Sequence, residues 1–226
     1  MRTYKMTIIL ILAMILASPA WAESSKEEAD KAILDRVNEH YAELTTYRAA
    51  YEQEAESPAM GGKQAIVFKD VSTGDLVFVK PDLIRLDQKD PRTEVLVSDG
   101  SVSWWYIPDE KKAYKYTAYT QSGALRALTE VFSGKGKLSD SFTTVVLNSK
   151  GDSIKIRLKP KMGGSDFEYL DIDLDSKSLE LKGLYISYLM GQSTKFTFFD
   201  IKEGADIPLD LFKFTPPKGA EIIVNK

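Results

Sequence analysis

The chain contains no cysteine and one histidine in 226 residues. Without cysteine there is no disulfide, no thiolate metal cluster and no thiol nucleophile, so the packed core alone must carry stability. A bacterial lipid anchor is excluded as well, since that lipid is attached to a cysteine at the cleavage point. The one histidine, His40, lies in a stretch of helical periodicity, and no serine stands in a G-x-S-x-G setting. A lone helical histidine is far more often structural or solvated than catalytic, so no enzyme is expected. Metal-ligand clusters are missing too. The D-I-D-L-D run at Asp171, Asp173 and Asp175 has Ser176 and Lys182 where a calcium loop needs glycine and a terminal acid. It describes a strand, polar outside and apolar inside. Gly134-Lys135-Gly136-Lys137 lacks the strand and spacing of a phosphate cradle. Neither a metal nor a cofactor is expected.

Long apolar runs are confined to the start. Arg2 and Lys5 precede an apolar run, Met6–Ala17, and Ala20-Trp21-Ala22 gives a small-x-small cleavage pattern. This reads as a secretory signal peptide, residues 1–22, because a bilayer span needs about 20 apolar residues. Cleavage after Ala22 leaves residues 23–226 as a single domain. Taking Arg2 and Lys5 from the 30 basic residues leaves 28 against 33 acidic, a net of −5. No basic stripe suits nucleic acid or an anionic membrane surface. An exported, unanchored, monomeric protein is expected.

What is present is strand pattern. Ser24 and Ser25 stand at capping-box spacing before Glu27 and Glu28. Ile33, Val37, Tyr41 and Leu44 then line one face of an amphipathic helix of about five turns. From Tyr47 the period becomes two. Strands are expected at Tyr47–Tyr51, at Gln64–Lys69 and Asp75–Lys80 joined by a turn at Ser72-Thr73-Gly74, and at Leu83–Asp87. A second helix spans Ser122–Phe132, with Leu125, Leu128 and Phe132 on one face and Gly134 to end it. Strands resume at Ser141–Leu147, Ser153–Leu158, Glu168–Leu174, Leu179–Leu189, Thr194–Phe199 and Leu211–Phe214. Short connections favour antiparallel neighbours. A meander of about eleven strands tends to curl, with helices too few for both faces.

Val95–Tyr116 is the densest stretch. Asp99-Gly100 signals a two-residue hairpin turn, and Ile107-Pro108-Asp109 returns the chain into Lys112–Tyr116. Such a turn puts Val95, Val97, Val102, Trp104 and Tyr106 on one face and Glu94, Leu96, Ser103 and Trp105 on the other. Each face carries a tryptophan, and the pattern alone leaves open which one turns inward. An aromatic meander of this kind is more often packed interior than ligand site.

Several strings add a resemblance. Gly74-Asp75-Leu76, Lys80-Pro81-Asp82-Leu83-Ile84, Leu96-Val97-Ser98-Asp99-Gly100, Trp104-x-Tyr106-x-Pro108 and Phe212-x-Phe214-Thr215-Pro216-Pro217-x-Gly219 occur in this order. Together they resemble the LolA family of periplasmic outer-membrane lipoprotein carriers over nearly the whole mature chain. The resemblance implies a mainly β fold with a helical lid (α+β): an open, incomplete antiparallel β-barrel covered by short α-helices on its concave side. It implies a non-enzymatic carrier that takes lipoprotein acyl chains from the inner-membrane transporter LolCDE to the outer-membrane receptor LolB. A periplasmic sensor or carrier of another amphiphile on the same fold is the alternative. The helices Ile33–Leu44 and Ala124–Phe132 would form the lid. The acyl-chain cavity would draw on Val37, Tyr41, Ile84, Leu86, Leu96, Trp104, Trp105, Tyr106, Leu125 and Leu128. LolA-like carriers commonly hold an arginine before the proline of an R-P motif, tying the closed lid to the barrel. Here that position is Lys80, which keeps donors but lacks the planar fork.

Overall fold

The computed structural model describes residues 19–58, 67–117, 123–133, 138–161 and 166–225, with side chains from residue 26 in the first helix and 126 in the second. Residues 1–18 of the expected signal peptide, the start of the expected strand at Gln64–Lys69 (residues 64–66), Ser122 of the expected second helix and Gly134-Lys135-Gly136-Lys137 lie outside the described residues.

Helix α1 (Pro19–Glu43) leads into β1 (Thr46–Pro58), β2 (Val67–Val79), β3 (Leu83–Asp90), β4 (Glu94–Asp99), β5 (Val102–Ile107) and β6 (Lys112–Thr117). Helices α2 (Gly123–Phe132) and α3 (Leu138–Ser141) follow. Then come β7 (Phe142–Asn148), β8 (Ser153–Pro160), β9 (Phe167–Asp175), β10 (Leu181–Tyr188) and β11 (Ser193–Glu203). A 3-10 turn at Leu209–Phe212 and a final strand, β12 (Glu221–Asn225), close the chain. The strands form one twelve-stranded sheet in the order β12-β6-β5-β4-β3-β2-β1-β11-β10-β9-β8-β7, open at both ends. The fold is mostly β with few short helices, as expected.

Four local expectations need correction. α1 already includes Pro19, which places Ser24 and Ser25 inside the helix and not at its N-cap. Second, β2 runs unbroken through Ser72-Thr73-Gly74. Gly74 is there for close approach, not for a turn: a Cβ on it would stand 2.2 Å from the Asp87 carbonyl oxygen of β3. Third, Leu211–Phe214 makes no strand, because its aromatic residues pack onto a sheet face. Last, β12 pairs in parallel with β6, Ile222 beside Ala113 and Val224 beside Lys115. That is the extra strand.

Strand alternation sorts the apolar residues onto two faces. On one face Tyr47, Ala49 and Tyr51, Leu76 and Phe78, Ile84 and Leu86, and the inward residues of β7–β11 pack with α1 and α2. On the other, Val77, Val97 and Phe212 form a smaller core with Val79, Leu83, Val95, Trp104, Ile207 and Phe214. The segment after β11 lies across that outer face as a strap. Arg85 fixes it, donating from Nη1 to the Leu211 carbonyl at 2.9 Å while its Nε and Nη2 hold the two Asp87 carboxylate oxygens at 2.7 Å each.

Candidate functional site

The helices cover the inner face of the sheet, and their apolar side chains reach its middle. On α1, Val37 and Tyr41 are buried, and so is Leu44 just past its end, in line with their spacing of four and three. On α2, Ala127, Leu128, Val131 and Phe132 are all at most 1% exposed. Phe132 meets two aromatic rings of the sheet. Its ring lies 4.5 Å from that of Tyr47 and 5.2 Å, stacked, from that of Phe78. The lid is therefore seated in the apolar face it covers.

Polar bonds tie α1 to its surroundings over its last two turns. The Lys80 ammonium donates to the carbonyls of Tyr41 and Ala42 at 2.8 Å each. These are carbonyls that a helix end leaves without intrahelical donors. Burial draws the Lys80 pKa below the ordinary lysine value. His40 Nε2 lies 3.1 Å from Glu203 at the end of β11. The Tyr41 hydroxyl donates to the Leu179 carbonyl at 3.3 Å, and burial pushes its pKa well above the ordinary value. Asn38 Oδ1 accepts the N–H of Leu138, the first residue of α3, at 2.8 Å. This joins α1 directly to α3.

The sequence-expected residues divide between the two faces. Val37, Tyr41, Ile84, Leu86 and Leu128 meet in the core under the lid, and Leu96 packs against its margin. Trp105 shares the Leu96 face, since those two pair across the hairpin. It stacks on Tyr114 at 5.1 Å and its Nε1 donates to Glu94 at 2.7 Å. Trp104 and Tyr106 lie on the opposite face against Phe214, at 5.8 and 5.7 Å. That separates them from the lid. Leu125 lies on α2, its side chain outside the described residues. Phe132, Phe78 and Tyr47 were not among the expected cavity residues. The signal for Phe132 was its step of four from Leu128.

The hairpin itself is registered differently from its expectation. Ser98 pairs with Ser103 and Val97 with Trp104, which centres the turn on Gly100-Ser101. Only Gly100 there has positive φ, at 86°, so the Asp99-Gly100 type I′ turn is replaced. Asp99 Oδ1 caps the turn, accepting from the N–H groups of Ser101 and Val102 at 2.9 and 2.8 Å. Moving the turn by one residue slides the partner strand by two, so the face sets survive.

A family model described as "Outer membrane lipoprotein carrier protein LolA" matches residues 42–215. The chain belongs to the LolA family. Outer-membrane lipoprotein carrier proteins of Methylibium petroleiphilum and Methylococcus capsulatus are among its relatives. The first is 27% identical over 85% of this chain and 89% of its own length, the second 26% over 91% and 90%. An uncharacterized conserved protein from Thermus thermophilus shares the fold, with a TM-score of 0.53 and 12% identity over 86% of this chain and 98% of that one. The LolA match starts at the end of α1 and stops in the strap, so β12 lies beyond it. Among the described residues no helix is long and apolar enough to cross a membrane, and no group of side chains could hold a metal ion.

Proposed function

We propose that this LolA-family protein is a periplasmic, non-enzymatic carrier, exported by a signal peptide cleaved after Ala22, that holds lipoprotein acyl chains between its lid and the inner sheet face. It takes them from LolCDE and delivers them to LolB. The observation that carries this reading is Phe132, an apolar side chain of a short helix seated among Tyr47 and Phe78. A lid that fills its own site in the empty protein can be exchanged for an acyl chain of the same apolar character. The exchange is favourable because each methylene removed from water contributes about 0.8 kcal/mol, on the order of 10 kcal/mol for one long chain. It is also reversible, because the lid recovers part of that burial when cargo leaves. Lys80 acts as the latch. It holds the end of α1 while α2 moves.

Purification of the exported protein from cell envelopes, with identification of what accompanies it, tests the reading. Triacylated lipoproteins are expected in the bound fraction. Their absence, with lipoprotein sorting intact after depletion of the protein, overturns the proposal. Recovery of a free lipid instead points to another amphiphile as cargo.

A further inference from the structure

Among the described residues, the sheet ends on one side in an edge that pairs with no further strand. β7 is the outermost strand, and its sequence, Phe142-Thr-Thr-Val-Val-Leu-Asn148, holds no charge and no proline. Soluble proteins ordinarily blunt such an edge, because its unpaired N–H and C=O groups are a template for another strand. Two of its outward side chains are apolar beside Thr143, with Val145 46% and Leu147 44% exposed.

The pairing shows which main-chain groups are free. Lys161 N–H donates to the Ser141 carbonyl at 3.0 Å, and the same register pairs Phe142 with Pro160, Thr143 with Lys159 and Val145 with Arg157. Hydrogen-bonded and non-bonded pairs alternate along an antiparallel ladder. Thr143 and Val145 therefore bond to β8, while Phe142, Thr144 and Val146 turn their N–H and C=O groups to the open side. Pro160, which has no N–H, falls at a non-bonded pair, where it costs no ladder bond.

This edge borders the lid. α3 runs directly into β7, its first N–H is held by Asn38 of α1, and Phe142 and Val146 belong to the core beneath the lid. The opposite edge, β12, contributes no residue to that core.

We propose that the β7 edge receives the extended peptide following the lipid-bearing residue of the cargo, adding it as a thirteenth strand. The inference rests on the carrier reading. Cargo whose acyl chains lie under the lid brings its polypeptide out at the lid's margin, beside this edge. Strand addition recognises main chain and not sequence. That suits a carrier whose many cargoes share a lipidated residue and a flexible segment after it.

The test uses two synthetic lipopeptides below their micelle concentration. Both carry a triacylated cysteine; one ends in a single serine, the other continues for seven uncharged residues, the length of β7. The longer is expected to bind the purified protein about tenfold tighter, the worth of a few net main-chain hydrogen bonds. Thr144→Pro removes one outward N–H and leaves the β8 ladder intact, so it should abolish that advantage while the short lipopeptide binds as before. Amide exchange on the unaltered protein gives a second readout: the long lipopeptide should protect Thr144 and Val146, the short one should not. Equal affinities without that protection overturn the edge assignment and leave the carrier reading standing. Failure of both lipopeptides to bind overturns the two together. Protection of Thr144 that depends on protein concentration alone, with a dimer in sedimentation, assigns the edge to a second copy of the chain and overturns the cargo peptide.

Discussion

The Lys80 ammonium stands 2.8 Å from the carbonyl oxygen of Tyr41, and at the same distance from that of Ala42. One side chain from the β2–β3 turn thus satisfies two of the carbonyls that α1 leaves open at its C-terminus. A cation there also opposes the negative end of the helix dipole. Lys80→Leu should lower stability by about 1 kcal/mol and speed amide exchange from His40 to Leu44. Lys80→Arg should keep both near the unaltered protein, because a guanidinium offers donors to spare. Unchanged exchange in the leucine variant would mean that water serves those carbonyls equally well.

Phe132 is fully buried against Tyr47 and Phe78. Phe132→Ala should cost about 3–5 kcal/mol in urea denaturation, the usual range for emptying a packed aromatic site. The same variant should take up more of a fluorescent apolar probe without cargo, since the vacated space is the one proposed for acyl chains. Lost stability with unchanged probe uptake would indicate that the core simply collapses over the gap.

The lid and the strand faces could be read from the sequence because period counting needs only local information. Ile33, Val37, Tyr41 and Leu44 repeat on a helix, and Tyr47, Ala49 and Tyr51 repeat on a strand, whatever they later touch. Pairing partners distant in sequence were not legible in the same way. Ser72-Thr73-Gly74 carries turn residues, but its glycine answers to a carbonyl on the next strand. Phe212 and Phe214 alternate as a strand would, yet they lie flat on the outer face. No strand was expected at Ile222, Ile223 and Val224, although their β-branched run suits one, and the fold shows both the strand and its parallel partner. For the tryptophans, the pattern put them on opposite faces and left open which one turned inward. What decided that Trp104 faces outward was the strap, which no periodicity announces.

Gly74 offers a sharp test of that close approach. An alanine Cβ 2.2 Å from the Asp87 carbonyl oxygen cannot be relieved by a rotamer change, because the obstacle is main chain. Gly74→Ala must therefore separate β2 from β3, with a loss of about 2 kcal/mol or more. Gly151 has open space around it but φ of +80°, so Gly151→Ala should cost about 1 kcal/mol of backbone strain. Thermal melts of the two variants should rank them in that order, and the reverse order would refute the assignment of Gly74.

The acid limb of stability should owe part of its slope to Asp175. Its carboxylate accepts from Lys182 Nζ at 2.6 Å and from the N–H groups of Lys177 and Ser178 at 2.9 and 3.0 Å. These bonds, that from Lys182 first, hold its pKa well below the ordinary carboxylate value. The folded protein then binds the proton less readily than the unfolded chain does. Its stabilising effect is complete above the unfolded value of about 4 and is lost as pH falls towards the folded one. Asp175→Asn keeps the shape of the turn and removes the titration. The variant should be less stable at neutral pH, and its denaturation midpoint should fall less steeply below about pH 4. Midpoints measured across the acid range check this: parallel curves for the two proteins would take Asp175 out of the linkage and place the acid sensitivity on other carboxylates.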